Sequence, residues 1–450
     1  MPECWRSIGE DDGTHAVLSE LLKSLFGGDA KENYNMLLCK VQDQERHGLA
    51  NGSCGLALLA GYLDEIQPAQ GWDRLAHSYL QIAVEGVENM THTNKFGLFS
   101  GLTGIAFVAT YLSKNFTRYT KLLDALDAKI LSHSTRMSEY IEKQENGMPT
   151  SAFDLIEGAI GVGAYLLFTK KEAENATLKT LLTALVSKAT DCEGLLKYST
   201  PRNLQVGWKN DYYAHGGLDC GIAHGITGLL SFLSLAKIND VIVEGQTDAI
   251  RTVAEFLLDN KMKDTGGVEW PGVVPLKLAE SKELESCCIE DGSGNILHLS
   301  KIQMQADVND MWCYGNSGVA RAMFLAGEAI NNRKYVDSAI SSMSAVYDRA
   351  LGANGTNSIF CHGTAGLLQV TLRFLNDTDL EMFDVGAREL RRQLLTQHDP
   401  STLLGYKNRV DGGKQEDNCG VLEGTAGIAL ALLASSSNVD PKWDRIFLLG

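Results

Sequence analysis

The stretch Gly101-Leu102-Thr103-Gly104-Ile105-Ala106-Phe107-Val108-Ala109 places two glycines three apart at the head of an apolar run. The same phrase returns at Gly52/Gly55, Gly158/Gly161, Gly225/Gly228, Gly315/Gly318, Gly363/Gly366 and Gly424/Gly427. Successive first glycines are 49, 57, 67, 90, 48 and 61 residues apart. Recurrence at such spacings marks a repeat architecture with one supersecondary unit per copy. Behind the glycines come apolar, helix-compatible runs such as 56–62, 105–112, 229–235 and 428–433. More polar helical stretches follow, for example 120–130 and 247–259. An all-apolar helix is buried, whereas a mixed one faces water on one side.

Seven pairs therefore predict seven hairpins, each of an inner and an outer helix. An open stack of repeats ends in atypical polar caps, yet the first and seventh copies are as apolar as the middle ones. The expectation is an all-α (α/α)7 toroid forming one domain over residues 1–450. Two gaps exceed what a hairpin needs, predicting insertions near 170–215 and 260–308. The second holds Pro271, Pro275, Gly266-Gly267, Gly292 and Gly294, and reads as loop or short strand. Insertions in repeat proteins collect on one face, often the binding face.

Composition narrows the function. A net charge of −16 argues against a nucleic-acid partner, which requires a basic face. An acidic surface suits a positively charged substrate or simple solubility. Residues 1–13 contain no apolar core segment of a signal peptide, and no apolar run is long enough to span a bilayer. Ten cysteines in 450 residues are too sparse for a disulfide scaffold. The expectation is a cytoplasmic protein whose thiols are reduced.

Lining up the copies exposes the chemistry. The residues just before the first glycines are Asn51, Ser100, Glu157, His224, Tyr314, His362 and Glu423, all polar or polar-tipped. In a ring of hairpins they share one height, a plausible active-site floor, although helix N-termini also favour short polar residues. One position earlier, cysteine appears only in the fifth and sixth copies, as Cys313 and Cys361. With His362 they make a soft three-ligand set of the kind zinc takes. Three protein ligands leave a fourth position open, the catalytic pattern. The alternative is two buried cysteines and a helix-capping histidine.

His224 can serve as an acid or base near neutral pH. Asp154 precedes the third pair and can orient an imidazole, or simply favour a helix N-terminus. Cys54, Cys220 and Cys419 flank glycine pairs and read as packed. Cys287-Cys288 read as free thiols in the insertion, and Cys4, Cys39 and Cys192 carry no signal. His15, His47, His77, His92, His133, His298 and His398 read as surface or loop residues. His215 lies near the site in sequence without an assigned role.

The run Trp312-Cys313-Tyr314-Gly315-Asn316-Ser317-Gly318, with Cys361-His362-Gly363 and Ala223-His224-Gly225, resembles the lanthionine synthetase C family, the lanthipeptide cyclases. The seven glycine pairs match that family's toroid along essentially the whole chain. The length is similar to that of the stand-alone bacterial cyclases of class I pathways. The resemblance implies Zn²⁺ on Cys313, Cys361 and His362, and catalytic roles for His224, Asp154 and Tyr314. It also implies a dehydrated precursor peptide as substrate, a dehydratase and transporter as partners, and membrane attachment only through them. One departure is Asn309, where such enzymes can carry an arginine four residues before the first zinc cysteine.

The reaction implied is addition of a peptide cysteine thiol to dehydroalanine or dehydrobutyrine, closing a (methyl)lanthionine ring. A free thiol, with pKa about 8.5, is mostly protonated at pH 7. Zinc would deprotonate it, and two protein thiolates would keep the attacking sulfur electron-rich. His224 is then the first candidate to protonate Cα, with Asp154 orienting it and Tyr314 as second donor. Rival readings are a prenyltransferase-like zinc barrel, a glycosidase using Glu157 and Glu423, and a zinc-containing peptide- or glutathione-binding scaffold without turnover.

Overall fold

The computed structural model describes residues 4–9, 11–28, 30–37, 46–88, 96–205, 213–264, 267–279, 287–300, 310–350, 357–409 and 414–450. Each first glycine is the N-cap of an inner helix. These helices are Ser53–Ile66, Leu102–Leu112, Ala159–Thr169, Ile226–Ile238, Asn316–Ile330, Thr364–Thr378 and Thr425–Ser436. Leu102–Leu112 is buried at every residue, as its apolar composition requires. The second glycine answers a close approach of backbone. A Cβ on Gly104 would lie 2.1 Å from the Leu98 carbonyl oxygen, and one on Gly427 2.0 Å from that of Val421. Any side chain would push the helix off the turn before it.

Outer helices follow at Trp72–Glu88, Thr120–Glu142, Glu172–Ser187, Gln246–Asp259, Arg333–Ala350 and Glu381–Gln397. Gln246–Asp259 buries Ala249, Ile250, Val253, Ala254 and Leu257, one stripe at helical spacing. The seventh pair differs from expectation: among the described residues that follow it there is no outer helix. Asp12–Phe26 packs there instead, against Thr425–Ser436. Its N-cap Asp11 accepts the Thr14 N–H at 2.8 Å. Leu18, Leu21 and Leu25 face inward at helical spacing. Just upstream, the Trp5 indole donates to the Ala434 carbonyl at 2.9 Å and the Ile8 N–H to that of Ser435 at 3.0 Å. Asp12–Phe26 and Thr425–Ser436 thus build one hairpin together.

Contacts divide the chain into two compact units. One comprises Met1–Ala128, Tyr347–Ile446 and Gly450; the other comprises Lys129–Val346 and Phe447–Leu449. Within the first unit the turns before the glycine pairs are stitched by one repeated backbone bond. Cys361 N–H donates to the Leu422 carbonyl at 2.8 Å, Leu422 N–H to Ala50 at 3.0 Å, and Ala50 N–H to Phe99 at 3.0 Å. All four residues hold the same register position, so the copies run sixth, seventh, first, second. Within the second unit the same turns pair by Leu155 N–H to Ala223 at 3.1 Å and Ile222 N–H to Cys313 at 3.0 Å.

A five-stranded sheet is inserted among the helices. Its antiparallel strands lie in the order Thr200–Pro201, Gly216–Asp219, Val273–Leu278, Ile296–Leu299, Ile289–Glu290. Leu196, Leu276, Ile289 and Leu297 form its buried cluster, with Leu299 packed against it. Met262–Asp264 pairs antiparallel with Gly267–Glu269. The stretch 260–308 therefore contains the expected short strands. The stretch 170–215 opens with the third outer helix and leaves the helical pattern only afterwards. Among the described residues, no helix is long and apolar enough to cross a membrane.

Candidate active site

All seven residues that precede the N-cap glycines are half-buried, each at the mouth of a buried helix. In the second unit three of the expected residues meet. Asp154 caps the C-terminus of the short helix Thr150–Phe153 and is 2% exposed. Its Oδ1 accepts the N–H groups of Glu157 at 2.8 Å and Gly158 at 2.9 Å. Its Oδ2 lies 2.5 Å from Nδ1 of His224. The Leu155–Ala223 backbone bond sets these two turns side by side. The carboxylate can only accept, so Nδ1 carries the hydrogen and Nε2 is left for chemistry. His224 is 37% exposed along its side chain, enough to meet a substrate.

Tyr314 stacks beside His224, with ring centroids 6.2 Å apart and planes 27° from parallel. Its hydroxyl donates to Oδ2 of Asp219 at 2.8 Å. Burial first, and then the Asp219 charge, push the phenol well above its usual pKa, so it stays protonated. Gly221 allows the approach: a Cβ there would lie 2.7 Å from the Tyr314 ring and from the Cys313 carbonyl. Cys313 is 7% exposed and anchored through that carbonyl by the Ile222 N–H. In the other unit Cys361, half-buried and anchored by its own N–H, is followed directly by His362.

Asp219 was missed by sequence reasoning although a signal exists. It lies six residues before its first glycine, where the sixth and seventh copies carry Asn357 and Asn418. That register position is polar for a reason visible in the structure. Asp219 Oδ1 accepts the Gly221 N–H at 2.9 Å, and Asn418 Oδ1 accepts the Gly420 N–H at 2.7 Å. Both close the same turn.

Cys54, Cys220 and Cys419 are buried as expected, and burial pushes the Cys419 thiol up to about 12. Cys4, Cys192 and Cys287 are exposed and Cys288 is half-buried. His47 corrects the surface reading: it is 2% exposed, with Nε2 3.1 Å from the Ser100 carbonyl oxygen. The turn packing that encloses it is non-local, so local polarity did not reveal it. Cys39, His92, Gly266 and Asn309 lie outside the described residues.

Helical repeats capped by glycine, a paired histidine and aspartate, and a Cys-His dipeptide on equivalent turns define a protein class. The model of the lanthionine synthetase C-like protein family matches residues 43–448, and the chain belongs to that family. A relative named Nisin biosynthesis protein NisC, from Lactococcus lactis subsp. lactis, is 25% identical over 373 residues. The match covers 81% of this chain and 83% of that one. Among solved structures, nisin cyclase aligns with a TM-score of 0.74 at 22% identity, covering 93% of this chain and 97% of its own. That likeness shows the fold, a helical toroid, as the glycine repeat predicts.

Proposed function

We propose that this protein is a zinc-dependent lanthipeptide cyclase. It adds cysteine thiols of a dehydrated precursor peptide to dehydroalanine or dehydrobutyrine, forming (methyl)lanthionine rings. Family membership and the names of the two relatives support the reaction class. One observation carries the metal: Cys313 and Cys361 hold the same register position in successive copies, and His362 directly follows Cys361. Two thiolates and an imidazole are a soft set that suits zinc over magnesium or calcium.

Zinc held there supplies a Lewis acid that keeps a substrate thiol ionised at neutral pH. The remaining steps belong to side chains. Sulfur bonds to Cβ of the dehydro residue and the electron pair moves onto the carbonyl as an enolate. His224, protonated on Nε2 and steered at Nδ1 by Asp154, delivers a proton to Cα. The thiol proton lost at the start balances the one gained. Tyr314 flanks His224 and shapes the floor on which the peptide lies. The reading takes a dehydratase as the upstream partner and a transporter as the downstream one, with the work done in the cytoplasm.

Cyclisation leaves mass unchanged but consumes one thiol per ring. Purified protein mixed with a peptide holding one cysteine and one dehydroalanine should abolish its alkylation, read by mass spectrometry. Alkylation persisting as in the enzyme-free control, with zinc bound, would favour the scaffold reading.

A further inference from the structure

We propose that Asp219 is a positioning residue of this site, acting through Tyr314. The proposal rests on the cyclase reading above and adds a residue to it. The carboxylate is 3% exposed, and its two oxygens have separate partners. Oδ1 closes the turn through the Gly221 N–H, and Oδ2 takes the Tyr314 hydroxyl hydrogen at 2.8 Å.

The repeat supplies its own control. Asn418, at the equivalent position of the seventh copy, closes the equivalent turn with one amide oxygen. The turn therefore needs no carboxylate. A buried charge is unfavourable unless its hydrogen bonds repay it, so an aspartate in this slot calls for a use beyond the turn. Holding the tyrosine is that use. The hold is rigid because Asp219 ends the strand Gly216–Asp219, paired with Val273 of the inserted sheet. The next N–H, of Cys220, donates to Gly272 at 2.9 Å. The insertion thus reaches the site through one carboxylate.

The direction of the bond has a consequence. A phenol has one hydrogen, and here it points at Asp219. Proton delivery is left to His224.

The test is Asp219→Asn in the full-length, zinc-loaded protein. Its Oδ1 keeps the turn, as Asn418 does, while its NH₂ faces Tyr314 and reverses that bond. The expected result is a kcat lower by about tenfold, the worth of one well-placed hydrogen bond, with KM and zinc content little changed. Asp219→Asn combined with Tyr314→Phe should be no slower than Tyr314→Phe alone, because one acts through the other. Wild-type kcat in Asp219→Asn, or losses that multiply in the double variant, would overturn the proposal. If Tyr314→Phe has no measurable turnover, a crystal structure of Asp219→Ala decides. The Tyr314 ring should leave its place beside His224, and an unmoved ring would overturn the assignment. Absence of ring closure by the unaltered protein would instead sink the cyclase reading, and that crystal structure would then judge Asp219 alone.

Discussion

Nδ1 of His224 lies 2.5 Å from Oδ2 of Asp154, and the other Asp154 oxygen is pinned by two backbone N–H groups. An acid whose carboxylate partner is itself immobilised has a fixed tautomer and a fixed aim. The pair is built by adjacent repeat turns, so the fold itself delivers the geometry.

His224→Ala should therefore slow ring closure by about 10²–10⁴, the usual contribution of a general acid. Asp154→Asn should act in the same direction by a smaller factor, since the imidazole stays but loses its orientation. Zinc content should be unchanged in both. Single-turnover cyclisation of a dehydrated peptide, with metal analysis of each variant, checks this. Unaltered rates would remove the pair from the mechanism.

A buried ion pair of the first unit predicts a stability effect. Asp444 is fully buried, and its oxygens accept Nε and Nη2 of Arg373, both at 2.6 Å. Gln369 donates to the same carboxylate at 2.7 Å. Asp444→Ala leaves the guanidinium buried without its main partner, which costs about 3–5 kcal/mol. Urea unfolding read by circular dichroism measures it. A change under about 1 kcal/mol would show that water or rearrangement rescues the arginine.

Two histidines set a pH dependence of folding. Burial holds His47 below its ordinary pKa, and burial with the Arg136 charge holds His133 at about 4. In the unfolded chain both titrate near the ordinary value of 6.5. Between those values the unfolded state binds more protons, so stability is lost as pH falls from about 6.5 toward 4. The urea midpoint should drop from about pH 7.5 to about pH 5. The drop should shrink in a His47→Gln/His133→Gln variant. An identical pH dependence in that variant would contradict the assignment.

Much of this is legible in the sequence. The glycine pairs announced the inner helices because close approach at Gly104 and Gly427 excludes any side chain. The register before them picked out His224 and Tyr314, since equivalent turns share one height. Asp154 was found by proximity to a pair. What escaped depends on contacts distant in sequence. No local pattern says that Asp12–Phe26 must complete the last hairpin, only that Thr425–Ser436 needs a partner. The burial of His47 comes from the neighbouring turn at Ser100. Nothing local distinguishes Asp219 from Asn357 and Asn418 at the same register position, and its second oxygen acquires meaning only with Tyr314 against it.

Elemental analysis of the dialysed protein shows whether Cys313, Cys361 and His362 hold one zinc ion. About one zinc per chain is expected, falling well below one equivalent in Cys361→Ala and Cys313→Ala. Full zinc retention in either variant, or none in the unaltered protein, would contradict it.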